Sequence, residues 1–203
     1  MPNNLCALLT VDVQNDFCPG GALEVREGDR VVPVLNRYIE KCRASQILII
    51  ASRDWHPEKT KHFKPYGGLW PPHCIQHTKG AQFHPDLKLP KETVIVSKGM
   101  DPDKESYSAF QAFDSEGTPL AHLLKKRRIT HLLVGGLATD YCVRASVLDA
   151  LTEGFRVTVL KDAIRGVELK TGDSKKAFDE MKKAGADQAS LETFEIWSPS
   201  TER

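Results

Sequence analysis

The chain has 203 residues, 40% hydrophobic and 27% charged, with 28 Lys and Arg against 27 Asp and Glu for a formal net charge of +1. That length suits one domain around one core, and the charge balance offers neither the basic field that favours nucleic acid nor an acidic tail for a disordered partner segment. No apolar run approaches the roughly 20 residues a membrane-spanning helix needs, the start MPNNLCALL lacks a signal-peptide pattern, and the five cysteines are odd in number without a C-x-x-C pair, which argues against a disulfide framework or a thiolate zinc site and for a soluble protein of the reducing cytoplasm.

In chain order, apolar strand-like runs fall at Cys6–Val13, Gln46–Ala51, Thr93–Ser97, Ile129–Val134, Phe155–Leu160 and Thr193–Trp197. Between them, Asp29–Ala44 sets Val32, Leu35, Ile39 and Cys42 at three- and four-residue intervals. Pro119–Arg128, Thr139–Glu153 and Asp173–Ala184 carry the same helical periodicity, the last two followed closely by the stop signals Gly154 and Gly185. Strand and helix alternating in this way predict a single α/β domain over 1–203. Its architecture is a doubly wound, mainly parallel six-stranded sheet with helices on both faces, a three-layer Rossmann-like arrangement. The interruption is Ser52–Glu92, about forty residues rich in Pro, Gly, His and aromatics where an ordinary connection has about 4–6. A loop of that length is expected to carry function.

Open sheets of this kind build their sites at the carboxyl ends of the strands, and the reactive residue types of this chain gather there. Asp12 ends the first run. Lys98 follows TVIVS, and a lysine at the inner end of a buried strand needs an anionic partner, for which Asp12 is the candidate. Cys142 follows the strand HLLVGG and the turn LATDY, so it falls in the first turn of a helix, where backbone N–H groups and the helix dipole favour a thiolate. Cys6 and Cys42, on apolar strand and helix faces, read as small buried hydrophobes; Cys18 and Cys74 are left open. Inside the long loop, Asp54 and His56 flank Trp55, so both side chains point to one side of an extended segment. With His73 and His62 they offer one carboxylate and two or three imidazoles, a set that suits Zn, Fe(II) or Mn better than Ca or Mg. His77, His84, His122 and His131 read as solvated.

The segments TVDVQNDFCPGGAL, SRDWHP, LWPPHC, SKG and GGLATDYCVRASVLDA resemble, in order and spacing, the nicotinamidase/pyrazinamidase branch of the isochorismatase-like cysteine hydrolases, from Leu8 to about Gly166. The first, third and last of these motifs are the most specific. The resemblance implies Asp12, Lys98 and Cys142 as a catalytic triad, and Asp54, His56 and His73 as ligands of one divalent metal, zinc before iron or manganese. It makes His62 an additional ligand that only some members have. Phe17, Leu23, Trp70, Tyr107 and Tyr141 resemble the walls of a small aromatic pocket, the Leu137–Ala138 bond the family's cis peptide, and the backbone N–H groups of Ala138 and Cys142 its oxyanion hole. The implied activity is hydrolysis of nicotinamide to nicotinate and ammonia through a cysteine thioester, in NAD salvage, with pyrazinamide a further substrate. A homo-oligomer is compatible with this reading; nucleic acid and membrane partners are not expected. Three other readings compete: a sibling amidohydrolase of the same superfamily, a metal-water hydrolase in which Cys142 is incidental, and a non-catalytic metal-binding module.

Overall fold

The computed structural model describes residues 5–194. Six strands, β1 (Cys6–Val11), β2 (Leu48–Asp54), β3 (Val94–Lys98), β4 (His131–Leu137), β5 (Arg156–Arg165) and β6 (Asp187–Ala189), form one sheet in the order β3-β2-β1-β4-β5-β6. Every neighbouring pair is parallel. The central strand β1 is buried at all its positions, as a near-continuous apolar run flanked on both faces should be. Its pleat divides the core in two. Cys6 and Leu8 join Ile49, Leu133 and Leu160 under helix α1 (Val31–Ala44), whose Val32, Leu35, Ile39 and Cys42 are buried. Ala7, Leu9 and Val11 face the other way with Ile50, Val134 and Val159, under α2 (Leu120–Lys126), α3 (Arg144–Thr152) and α4 (Asp173–Lys183).

The path through the sheet positions the site. From β1 the chain steps outward to β2 and β3, then crosses back to β4 on the far side of β1. The reversal between β1 and β4 is a topological switch point, and doubly wound sheets bind ligands at the carboxyl ends of the strands beside such a point. No α-helix joins β2 to β3 among the described residues. The long loop takes that place, and its Cys74, Ala81 and Leu87 pack into the cluster beneath α1.

Several boundaries differ from the sequence expectation. β1 stops at Val11 because Asp12 turns into the left-handed region at φ 49. β2 runs on through Asp54, so the irregular loop begins at Trp55 and not at Ser52. The helix expected over Thr139–Glu153 divides into a π-helical turn, Thr139–Val143, and α3. The last strand is Asp187–Ala189, pairing with Thr158–Leu160; Thr193 and Phe194 lie outside any strand, and the rest of Thr193–Trp197 is outside the described residues. Phe194 instead covers α1, edge-on to Tyr38 at 5.1 Å between ring centroids, so its apolar character serves packing and not pairing. No helix among the described residues is long and apolar enough to cross a membrane.

Candidate active site

Asp12 leaves the end of β1, Lys98 ends β3, and Cys142 lies in the π-helical turn after β4. The fold brings the three together at the carboxyl edge of the sheet, all buried, at 0%, 1% and 7% exposure. Lys98 Nζ lies 2.9 Å from Asp12 Oδ2 and 3.6 Å from Cys142 Sγ, and it also pairs closely with Asp54 Oδ1. Ser52 Oγ donates to Asp12 Oδ1 at 2.6 Å. Asp12 Oδ2, though ion-paired, accepts no well-aligned hydrogen bond among the described residues.

One ammonium serves two buried carboxylates, and they respond differently. For Asp54, the penalty of burial is outweighed by Lys98 and the neighbouring histidines, which hold its carboxyl well below the usual range. For Asp12, burial dominates; Lys98 offsets it only in part and Asp54 adds repulsion, so its carboxyl is pushed up. Burial opposes charge on Lys98, but Asp12, Asp54 and Cys142 reverse that and keep the ammonium charged. Burial raises the Cys142 thiol well above its ordinary value, with Lys98 pulling it down and both carboxylates pushing it up. The thiolate expected from a helix start is therefore not the resting form. Desolvation and two anions outweigh a dipole that falls off within one turn.

Beside this group, His56, His62 and His73 each present a ring nitrogen within 4.8 Å of the others, all three side chains buried. Asp54 Oδ2 faces them, 3.7 Å from His56 Nε2 and 3.9 Å from His73 Nε2, so one carboxylate borders both clusters. The Nδ1 atoms of His56 and His73 pair with Gly99 O at 3.0 Å and Pro71 O at 2.8 Å. Such backbone carbonyls fix the tautomer that presents Nε2 as a lone-pair donor. Burial holds His73 below the ordinary imidazole range and takes His62 down to about 3, with His56 adding to the effect at His62. His56 Nε2 and His62 Nδ1 are buried without a hydrogen-bond partner among the described residues. Neutral imidazoles with orphaned nitrogens beside a carboxylate fit a divalent metal of the zinc type.

The expected aromatic residues connect to this centre unevenly. Phe17 lies 5.4 Å from the His73 ring and Tyr107 lies 5.7 Å from His62. Tyr141 packs on Trp70 and Tyr107 at 4.8 and 5.8 Å, and Trp70 Nε1 donates to Tyr107 Oη at 3.0 Å. Leu23 packs against the core cluster that contains Phe17. The Leu137–Ala138 peptide is cis. His131, expected to be solvated, is half-buried, with Nε2 2.8 Å from Thr158 Oγ1. Cys18 and Cys74 are both free and buried.

Sequence reasoning passed over several supporting residues. Besides Ser52, Ser146 Oγ donates to Cys142 O at 2.6 Å and accepts Ala109 N–H at 2.8 Å. The Asp140 carboxylate accepts the N–H groups of Val167 and Glu168, both at 2.9 Å. The available signal was a polar residue within an apolar strand, a buried turn or a buried helix face, which implies a dedicated partner.

The Isochorismatase domain family matches residues 6–193. The chain is 45% identical to the nicotinamidase of Escherichia coli, over 93% of this chain and 96% of that protein. The crystal structure of the pyrazinamidase of Pyrococcus horikoshii in complex with zinc superposes with a TM-score of 0.85 at 46% identity, covering 92% of this chain and 99% of that one. PnC1 from L. infantum, crystallised in complex with nicotinate, gives 0.82 at 33% identity and covers 94% of each. With the family match spanning nearly all of the described residues, the chain belongs to the isochorismatase-domain family of hydrolases.

Proposed function

We propose that this enzyme is a nicotinamidase, hydrolysing the carboxamide of nicotinamide to nicotinate and ammonia with Asp12, Lys98 and Cys142 as its catalytic residues. The observation that carries the reading is the fully buried Lys98 ammonium, in contact with Asp12, Asp54 and Cys142 at once. A metal-water hydrolase has no use for a thiol held beside a carboxylate and an ammonium, and a non-catalytic metal module has no use for the buried cation.

In this reading the Asp12 carboxylate takes the Cys142 proton as sulfur attacks the carboxamide carbon, while Lys98 keeps negative charge favourable on both. Burial raises both the thiol and the carboxyl, and the Lys98 ammonium between them favours the negative charge on whichever of the two has given up the proton. The carbonyl oxygen becomes an oxyanion, received by the backbone N–H groups of Ala138 and Cys142, a contribution of about 3 kcal/mol per donor in comparable acyl transfers. Asp12 then delivers its proton to the departing nitrogen, which leaves as ammonia, and a thioester remains on Cys142. Water attacks that thioester as Asp12 removes its proton; collapse releases nicotinate, and the proton returns to sulfur.

Asp54, His56, His62 and His73 would hold one divalent ion, with zinc the first choice over iron or manganese. When bound it supplies a Lewis-acid contact for the pyridine nitrogen. Around it Phe17, Leu23, Trp70, Tyr107 and Tyr141 would wall an aromatic pocket suited to a flat heterocycle, pyrazinamide included, and fix the amide over Cys142. The deciding experiment is ammonia release from nicotinamide by the metal-loaded protein and by Cys142→Ala. Turnover by the first and none by the second is expected; turnover by both would remove the thioester mechanism.

A further inference from the structure

We infer that Gln14 and Asp16 are positioning residues of the metal centre, holding two ligand-bearing segments by their backbones. The inference rests on the metal reading above and adds the residues that set its shape. β1 turns away at Asp12, so the end of β2 loses its strand neighbour on that side; the register between the two strands runs only to Thr10 and Ala51. The Gln14 side chain stands in for the missing strand. Fully buried, it accepts the Asp54 N–H on Oε1 at 2.8 Å and donates from Nε2 to Asp54 O at 2.8 Å and to Ala81 O at 2.9 Å. Both peptide groups of Asp54 are thereby held by one amide, at the residue whose carboxylate borders both Lys98 and the histidines.

Asp16 acts on the opposite wall. Its Oδ2 accepts the Cys74 N–H at 2.7 Å and its Oδ1 the Ala22 N–H at 3.2 Å. Cys74 follows His73 directly and sits in the left-handed region at φ 46, where a side chain other than glycine needs support from its surroundings. Its carbonyl in turn accepts the His56 N–H at 3.0 Å. One carboxylate thus fixes the residue adjoining His73 and, through it, the backbone of His56. Gly80 makes room for it, since a Cβ there would collide with the Asp16 carboxylate. Between the two, Asn15 donates from its half-buried side chain to Lys79 O at 2.7 Å, bracing the same stretch without touching a ligand segment.

The test is zinc affinity, measured by competition with a chromophoric chelator on wild type, Gln14→Ala, Asp16→Asn, Gly80→Ala and Asn15→Ala. Asn has one acceptor oxygen and cannot serve both N–H groups, and the alanine at 80 displaces the carboxylate while leaving Asp16 in place. The first three variants should bind zinc about 10–100-fold more weakly, the cost typical of removing outer-shell support, whereas Asn15→Ala should stay within about twofold. If Gln14→Ala does not fold, Asp16→Asn and Gly80→Ala, which retain the amide clamp, decide the matter. Equal affinity in every variant, or an equal loss in Asn15→Ala, overturns the positioning role and leaves the metal site standing. Absence of zinc binding by wild type overturns the metal reading and this inference with it.

Discussion

Lys98→Met removes an ammonium while keeping the length of the side chain, and it tests the centre of the site. In the folded protein Nζ sits 2.9 Å from Asp12 Oδ2 and 3.6 Å from Cys142 Sγ, in close contact with Asp54 and with 1% of the residue exposed. Without it, two carboxylates stand side by side in a dry interior. Removing one partner of a buried ion pair costs about 3–5 kcal/mol, and the molecule can relieve that only by protonating a carboxylate. Asp12 is the one to take the proton, because burial already pushes its carboxyl up while Asp54 is held low by the histidines as well. The base is then lost. At about 1.4 kcal/mol per decade, the same 3–5 kcal/mol in the transition state corresponds to a fall of roughly two to four decades in kcat/KM. The sign of the pH effect follows directly: a cation favours the ionised carboxylate, its removal favours the protonated one, and the acid limb of the profile moves to higher pH. Ammonia release from nicotinamide across pH, with thermal unfolding of the same samples, measures both effects. Lys98→Arg should recover little, since a planar guanidinium does not fit a site shaped for a compact ammonium. A methionine variant within about tenfold of wild type and with an unmoved acid limb would refute the reasoning.

Cys142→Ala should abolish turnover while leaving metal content and unfolding temperature unchanged, and acid quenching of the wild-type reaction should trap nicotinoyl mass on Cys142; label on another cysteine would assign a different nucleophile. Ser52→Ala deletes the 2.6 Å hydrogen bond to Asp12 Oδ1; because that bond favours the ionised carboxylate, the acid limb should shift upward, and an unshifted profile would show that Asp12 is not the group titrating. Benzamide keeps the carboxamide and the ring size but has no nitrogen to offer a metal, so its kcat/KM should fall below that of nicotinamide by several kcal/mol, on the order of 100-fold or more. Chelation should narrow that gap, and equal efficiencies in the metal-loaded enzyme would remove the ring-nitrogen contact.

The sequence by itself determined the alternation of strands and helices, the two-sided core and the edge on which the chemistry lies, because hydrophobic periodicity is written locally. Leu8 and Leu9 declare opposite faces by adjacency alone, and Asp12, Lys98 and Cys142 are marked by standing where apolar runs end. What it left undecided depends on neighbours distant along the chain. β2 extends through Asp54 because β3 pairs with it as far as Lys98, and the closing strand forms at the modest segment Asp187–Ala189 because the edge of β5 is free there. The more apolar Phe194 is needed over Tyr38. The same holds for charge. A cysteine at a helix start reads as a thiolate in one dimension, yet desolvation and the proximity of Asp12 and Asp54 reverse that preference. The grip of Gln14 on Asp54 across 40 residues of sequence has no local signature at all. Periodicity and propensity act between residues a few positions apart, whereas burial, Coulomb energy and hydrogen-bond satisfaction act through space, and only the assembled sheet fixes those distances.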